Sequence, residues 1–179
     1  KRLLAFSSVA HVGYLIIAII AKNSLSSSSL MFYMLTYAFM VFGIFSIVIL
    51  LGRKGEENLE LENYSGLAYK HPVIALTMTI FLLSLGGLPP LAGFVAKFYI
   101  FSAALKEGYL ILVIIAVLNS AISFYYYLKV IVFMYMKEPV KEFHINLTPM
   151  TLVVIAIAAF GTIQLGIFPD PIIALAEAN

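Results

Sequence analysis

An apolar run of 33 residues, Val73–Leu105, contains a single charged side chain, Lys97, and near its middle a pair of glycines followed by a pair of prolines. A helix needs about 20 residues to cross a hydrocarbon core of about 30 Å, so the run is roughly half as long again as one crossing requires. Gly86-Gly87 and Pro89-Pro90 show how it fits. An interior proline removes a backbone donor and clashes with the preceding turn, and glycine does little to hold a helix straight. The run therefore predicts two half-helices joined by a break near 86–93, with Gly93 at its far edge. Carbonyls and amides freed at a break cannot face lipid; neighbouring helices or a wet cavity must cover them. Lys97 follows by about one turn, and a charge beside a discontinuous helix at membrane depth is a functional candidate.

The remaining composition suits a membrane-embedded chain. Hydrophobic residues make up 63% and charged residues 11%, with a mean hydropathy of +1.03, whereas about a quarter of a soluble domain is charged. The predicted class is all-α, a polytopic membrane helix bundle. With no cysteine, disulfides, thiolate metal sites and iron–sulfur ligation are excluded. His11, His71 and His144 are too scattered for a haem or zinc site. No cofactor or metal is expected in this chain, and no nucleic-acid partner.

Five crossings are predicted, at about 3–21, 30–51, 73–105 with its break, 109–136 and 147–168. The first leaves Lys1-Arg2 and carries Ser7, Ser8 and His11 on one side; its Gly13 is expected to admit a neighbouring helix closely. Asn23–Ser29 reads as a serine-rich connection. In the second crossing Phe32, Tyr33, Tyr37, Phe39, Phe42 and Phe45 read as packing and interface residues. Gly52–Pro72, with Arg53, Lys54, Glu56, Glu57, Glu60, Glu62 and Lys70, reads as a solvated loop with a turn near Tyr64-Ser65-Gly66-Leu67, and its acids fit no metal template. Pro72 opens the next helix, where proline is tolerated. Lys106-Glu107-Gly108 forms a tight turn, and 138–146 is a second polar loop. Pro169-Asp170-Pro171 ends the last crossing, and Ile172–Ala178 reads as a short interfacial tail.

Lys1, Arg2, Arg53, Lys54, Lys70, Lys137 and Lys141 fall on one side of such a bundle and only Lys22 and Lys106 on the other. Positive residues favour the cytoplasmic side, so residue 1 is expected there and the C-terminus outside. The start, with no methionine or signal pattern, reads as a small protein with a processed N-terminus or, preferred here, as the C-terminal part of a longer polypeptide.

Lys97 is the leading candidate for chemistry. Desolvation disfavours its charged form, so it can lose and regain a proton under modest electrostatic pressure, which arginine cannot. The alternative is snorkelling to the headgroups. Lys129, about two turns from the end of its helix, reads equally as a relay or a snorkelling residue. His11 reads as a proton relay or as a buried histidine bonded to Ser7 or Ser8. Tyr125-Tyr126-Tyr127 distributes three hydroxyls around a helix, of which one or two can face a cavity. Every Asp and Glu falls in a predicted loop or tail, so either the lysines work alone or a partner acid lies in an N-terminal part outside these residues or on another subunit.

The stretches His71-Pro72, Met78-Thr79, Ser84-Leu85-Gly86-Gly87-Leu88-Pro89 and Gly93-Phe94-Val95-Ala96-Lys97-Phe98-Tyr99 resemble the broken helix of the antiporter-like membrane subunits of respiratory complex I. Lys1-Arg2-Leu3-Leu4-Ala5-Phe6-Ser7-Ser8-Val9-Ala10-His11-Val12-Gly13-Tyr14 is similar to an earlier helix of that family. Ser120–Val130 and Leu165-Gly166-Ile167-Phe168-Pro169 extend the resemblance over essentially the whole chain. It implies an antiporter-like inverted-repeat fold of which these are the last five helices. It also implies proton translocation without redox chemistry in this chain, in a bacterial inner membrane. Lys97 matches the family's second-half lysine on the outlet branch of a proton path; the first-half glutamate–lysine pair and central lysine have no counterpart here. The implied partners are other complex I membrane subunits, lipid, protons and ordered water, with NADH, flavin, iron–sulfur clusters and quinone held elsewhere in the complex. A cation/proton (Na+/H+) antiporter subunit is the alternative, and a purely packing subunit the third reading.

Overall fold

The computed structural model describes residues 2–52, 60–139 and 148–177, without the side chains of Leu175 and Glu177. Lys1, Arg53, Lys54 and Lys141 of the orientation tally lie outside the described residues, as do Glu56, Glu57, His144 and Ala178. The described residues form helices and contain no strand: α1 (Arg2–Ala21), α2 (Ser24–Leu51), a 3-10 turn (Leu61–Tyr64), α3 (Leu67–Lys70), α4 (Pro72–Gly86), α5 (Ala92–Lys106), α6 (Leu110–Met136), α7 (Pro149–Ile167) and α8 (Asp170–Glu177). Four of them, α1, α2, α6 and α7, are long and apolar enough to cross a membrane. They keep large apolar residues outward, among them Phe6, Ile49 and Ile111, each more than 70% exposed. In water such surfaces would be a liability; in lipid they are the solvent-matched face.

The run 73–105 is divided as its glycines and prolines dictate. α4 and α5 have 15 residues each, about 22 Å at 1.5 Å per residue, so neither alone matches the hydrocarbon core. The intervening Pro89–Pro90 bond is cis.

α2 lies at the centre, against α1, α4, α5, α7 and α8. Between helices in lipid, association depends on close packing rather than on exclusion of water, and glycines supply the approach. Gly43 seats the Phe81 ring and Gly161 the Phe39 ring, at positions where a Cβ would collide or crowd. Gly166 brings α7 onto the break itself, against backbone atoms of Pro90, Leu91 and Ala92. Two apolar clusters result. One gathers Met40, Ile47, Phe81, Leu82 and Met134, the other Ile17, Phe32, Ala96, Ile100 and Val113.

Several expectations need correction. α2 starts at Ser24, not near Leu30, because Asn23 forms a capping box with Ser26 and commits the serines to the first turns. Ser28 and Ser29 donate back to the Leu25 carbonyl, so these hydroxyls satisfy themselves inside a helix. Gly13 meets no neighbour, since a Cβ there would find nothing within 4 Å; it faces an open groove between α1 and α6. The segment after residue 60 is partly buried rather than solvated: Tyr64, Ser65 and Leu67 are covered, and Gly66, at φ 68°, donates its N–H to Phe133 O at 3.1 Å. The tail is a helix, α8, packed against α2, with Ile173 buried.

Candidate functional site

The end of α4 determines which backbone groups are left over. Gly87 takes the left-handed conformation, φ 86°. Its N–H reaches Ser84 O at 2.9 Å, and the Leu88 N–H reaches Leu83 O at 3.0 Å, the pair of bonds of a Schellman helix end. This serves the carbonyls of Leu83 and Ser84 and leaves those of Leu85 and Gly86 without an intrahelical donor. Lys97, the sixth residue of α5, serves both. Side chains on a helix lean toward its N-terminus, so Lys97 reaches back across the break. Its Nζ donates to Leu85 O at 2.9 Å, to Gly86 O at 3.3 Å and to Ser120 Oγ of α6 at 2.9 Å.

With 4% of its surface exposed, Lys97 does not snorkel within this fold. The C-terminal end of α4, where the helix dipole is negative, is a favourable seat for a cation. Ser84 fixes the register of the two half-helices: its Oγ accepts from Gly93 N–H at 3.0 Å, and any Cβ on Gly93 would strike the Ser84 carbonyl. A cavity of about 350 Å3, walled by Phe94, Phe98, Phe101 and Phe124, opens beside Lys97 and Ser120.

The second polar cluster is built on one stripe of α1. Ser7, His11 and Tyr14 are spaced four and three apart and all buried, so they share a face. His11 Nδ1 lies 2.6 Å from Tyr33 Oη of α2, and Nε2 lies 3.4 Å from Tyr127 Oη of α6. Tyr127 also hydrogen-bonds Ser7 Oγ. The Tyr37 ring covers the imidazole, with centroids 4.7 Å apart. Ser8 stays apart, bonded to Ala5 O.

Tyr14 stands between the clusters. Its ring meets His11 edge-on at 5.8 Å and carries Lys97 Nζ at 5.1 Å from its centroid. Its hydroxyl accepts from Asn119 Nδ2 at 3.3 Å. The site thus lies where the two apolar clusters meet.

Lys97 and His11 are brought together through Tyr14; Lys129 is not. It is exposed on the outward stripe of α6 with Tyr125, Val132 and Met136. Of the tyrosine triplet, Tyr127 is fully buried and Tyr125 is 72% exposed. Tyr33, read from the sequence as packing, contributes a hydroxyl to the histidine, and Tyr14 and Ser120 were not singled out as site residues at all. The stripe Ser120, Ser123, Tyr127 at intervals of three and four on a mostly apolar helix is the signal that points inward. Among the described residues no carboxylate pairs with Lys97 or His11, and no group of three His, Cys, Asp or Glu could hold a metal ion.

Comparison with known proteins agrees with this architecture. A curated relative, the NADH-quinone oxidoreductase subunit N of Trichlorobacter lovleyi, is 46% identical over 178 residues, covering 99% of this chain and 37% of its own length. The chain therefore spans little more than a third of that relative. In a structure of respiratory complex I from Thermus thermophilus with bound aureothin, one chain superposes with a TM-score of 0.87 at 32% identity, over 97% of this chain and 39% of that one. A chain of the Mrp complex from a Dietzia species shares the fold, with a TM-score of 0.79 at 21% identity, over 97% of this chain and 41% of that one. The sequence pattern of the NADH:quinone oxidoreductase/Mrp antiporter transmembrane family matches residues 1–123, a stretch that includes α1, the break and Lys97. By that match, this chain belongs to the NADH:quinone oxidoreductase/Mrp antiporter transmembrane family.

Proposed function

We propose that these residues form a proton-translocating part of the membrane arm of an NADH:quinone oxidoreductase, with α4 and α5 together making one discontinuous crossing. The observation that carries the reading is the seat of Lys97: a buried amine at a helix break, served by two orphaned carbonyls and one hydroxyl. Three acceptors match the three protons of an ammonium. When one proton leaves, Ser120, which can accept or donate, turns its hydroxyl toward the amine. Its other partner, Gly86 O at 3.4 Å, is a long bond that is easily given up. The site therefore accommodates the charged and the neutral lysine without a buried unpaired group.

His11 is the second relay group, linked to Lys97 through Tyr14. Lys129 has no partner in this line and enters the reading as a charge at the cytoplasmic end of α6. Redox chemistry, with NADH, flavin, iron–sulfur clusters and quinone, belongs to other subunits. The residue 1 side of a bacterial inner membrane is cytoplasmic in this reading. Support comes from the ends that hydrogen bonds tie together: Asn23 donates to Ala103 O and Glu107, and Gly66 to Phe133, pairing the helix ends as the charge tally pairs them.

Lys97→Ala in the assembled complex tests the reading. NADH-driven proton uptake into inverted vesicles is expected to fall at least about ten-fold relative to NADH oxidation. Normal pumping by a normally assembled complex would falsify the role assigned to Lys97. The fold shared with the Dietzia Mrp chain favours a second reading, a cation/proton antiporter subunit. Transport that follows sodium and ignores NADH and quinone would select it.

A further inference from the structure

A pocket of about 210 Å3 lies between α1 and α2, lined among others by Ser7, Ser8, Tyr37, Ile44, Phe45 and Leu85. It is a different cavity from the one beside Lys97, and no lining residue is shared between them. Liquid water occupies about 30 Å3 per molecule, so the pocket has room for several, and Ser7 and Tyr37 offer them polar partners. Ser7 is itself 2% exposed, so its hydroxyl forms the inner wall. Behind it the hydrogen bonds continue without interruption from Ser7 Oγ to Tyr127 Oη and on to His11 Nε2.

We infer that Ser7 and Tyr127 carry protons between this pocket and His11, giving the chain a second proton opening apart from that at Lys97. The inference rests on the proton-translocation reading above. Every group in the line is a hydroxyl or an imidazole, able to donate or to accept. A proton arriving from pocket water binds Ser7 Oγ as the serine's own proton passes to Tyr127 Oη. The tyrosine's proton passes to His11 Nε2. The imidazole, now positively charged, donates from Nδ1 to Tyr33 and from Nε2 to Tyr127. One proton has entered and one charge has appeared. Charges on Lys97 and His11, which both pack on the Tyr14 ring, repel when both are present, so protonation of Lys97 drives the proton off His11. The two openings are coupled through this repulsion and Tyr14 between them.

The test uses Tyr127→Phe and Ser7→Ala in the full-length subunit within its assembled complex, with protons taken up per NADH oxidised as the readout. Both are expected to lose at least about three-fold of that ratio, less than the roughly hundred-fold or more that a positioned proton-transfer group supplies, because pocket water can replace part of a lost hydroxyl's role. Ser7→Thr and Ser7→Val form a near-isosteric control pair, with a methyl in valine where threonine has its hydroxyl. Threonine retaining the ratio while valine loses it supports the relay; loss in both would mean that packing, not the hydroxyl, matters, and would overturn it. If Tyr127→Phe and Ser7→Ala pump normally while Lys97→Ala does not, the second opening fails and the proton-translocation reading stands. If all three pump normally, both fail.

Discussion

Lys97 and His11 are both buried against the Tyr14 ring but are held by different kinds of partner. Lys97 has two backbone carbonyls and one hydroxyl; carbonyls only accept, so they favour whichever form of the amine carries the most protons. His11 has two phenolic hydroxyls, which adapt equally to either neutral tautomer and to the imidazolium. In the reading proposed above, the first site would hold a proton and the second would pass one along. The difference follows from backbone structure. A helix break leaves carbonyls in place that no side-chain choice could replace, whereas an unbroken helix has no spare backbone groups and must recruit hydroxyls from its neighbours.

The largest effect that separates the two sites is expected from Lys97→Arg. A guanidinium can still donate to the Leu85 and Gly86 carbonyls but does not lose its proton in proteins. If holding and releasing is the task, Lys97→Arg is expected to pump as poorly as Lys97→Ala, at least about ten-fold below the native complex, although its charge and bonds are kept. Retained pumping would show that a fixed charge suffices and that the carbonyl seat is a structural anchor. Uptake per NADH oxidised, normalised to assembled complex, decides between them.

A smaller effect is expected from Ser120→Ala, which makes the lysine site acceptor-only. The ammonium loses one of its three partners, a bond worth about 1.5–3 kcal/mol when the donor is charged, and the neutral amine loses its only donor. Pumping is expected to fall several-fold, less than for Lys97→Arg because water in the adjoining cavity can replace the hydroxyl. Ser120→Thr, which keeps the hydroxyl, is expected to restore most of it. Equal loss in alanine and threonine would remove Ser120 from the comparison.

The half of this contrast that rests on the backbone was legible in the sequence. Gly86-Gly87 and Pro89-Pro90 change the rules of helix formation wherever they occur, and Lys97 is the one charge near them. The half that rests on side-chain partners was not. A tyrosine on an apolar helix looks the same whether its hydroxyl faces lipid, headgroups or a histidine, and the partners of Tyr33 and Tyr127 lie 22 and 120 residues away in sequence. The same ambiguity placed Ser24–Ser29 in a connection, because serines that bond their own helix and serines in a loop read alike until Asn23 is recognised as a cap. Gly13 erred the other way, since a small residue permits a close neighbour without requiring one.

The smallest effect is expected at Lys129, whose place outside the contrast can itself be tested. Its stripe on α6, with Tyr125, Val132 and Met136, faces away from Ser123, Tyr127, Val130 and Met134, which are buried. An amine about two turns from its helix end can extend its stem along the helix and place its charge among headgroups. Lys129→Met keeps the apolar stem and removes only that charge, so the proton ratio is expected to change by less than about two-fold, as for exposed substitutions away from buried networks. A loss as deep as that of Lys97→Arg would mean that the outward stripe meets the proton path of a neighbouring subunit. Lys129 would then be a third kind of site, completed by a partner outside this chain rather than by its own backbone or hydroxyls.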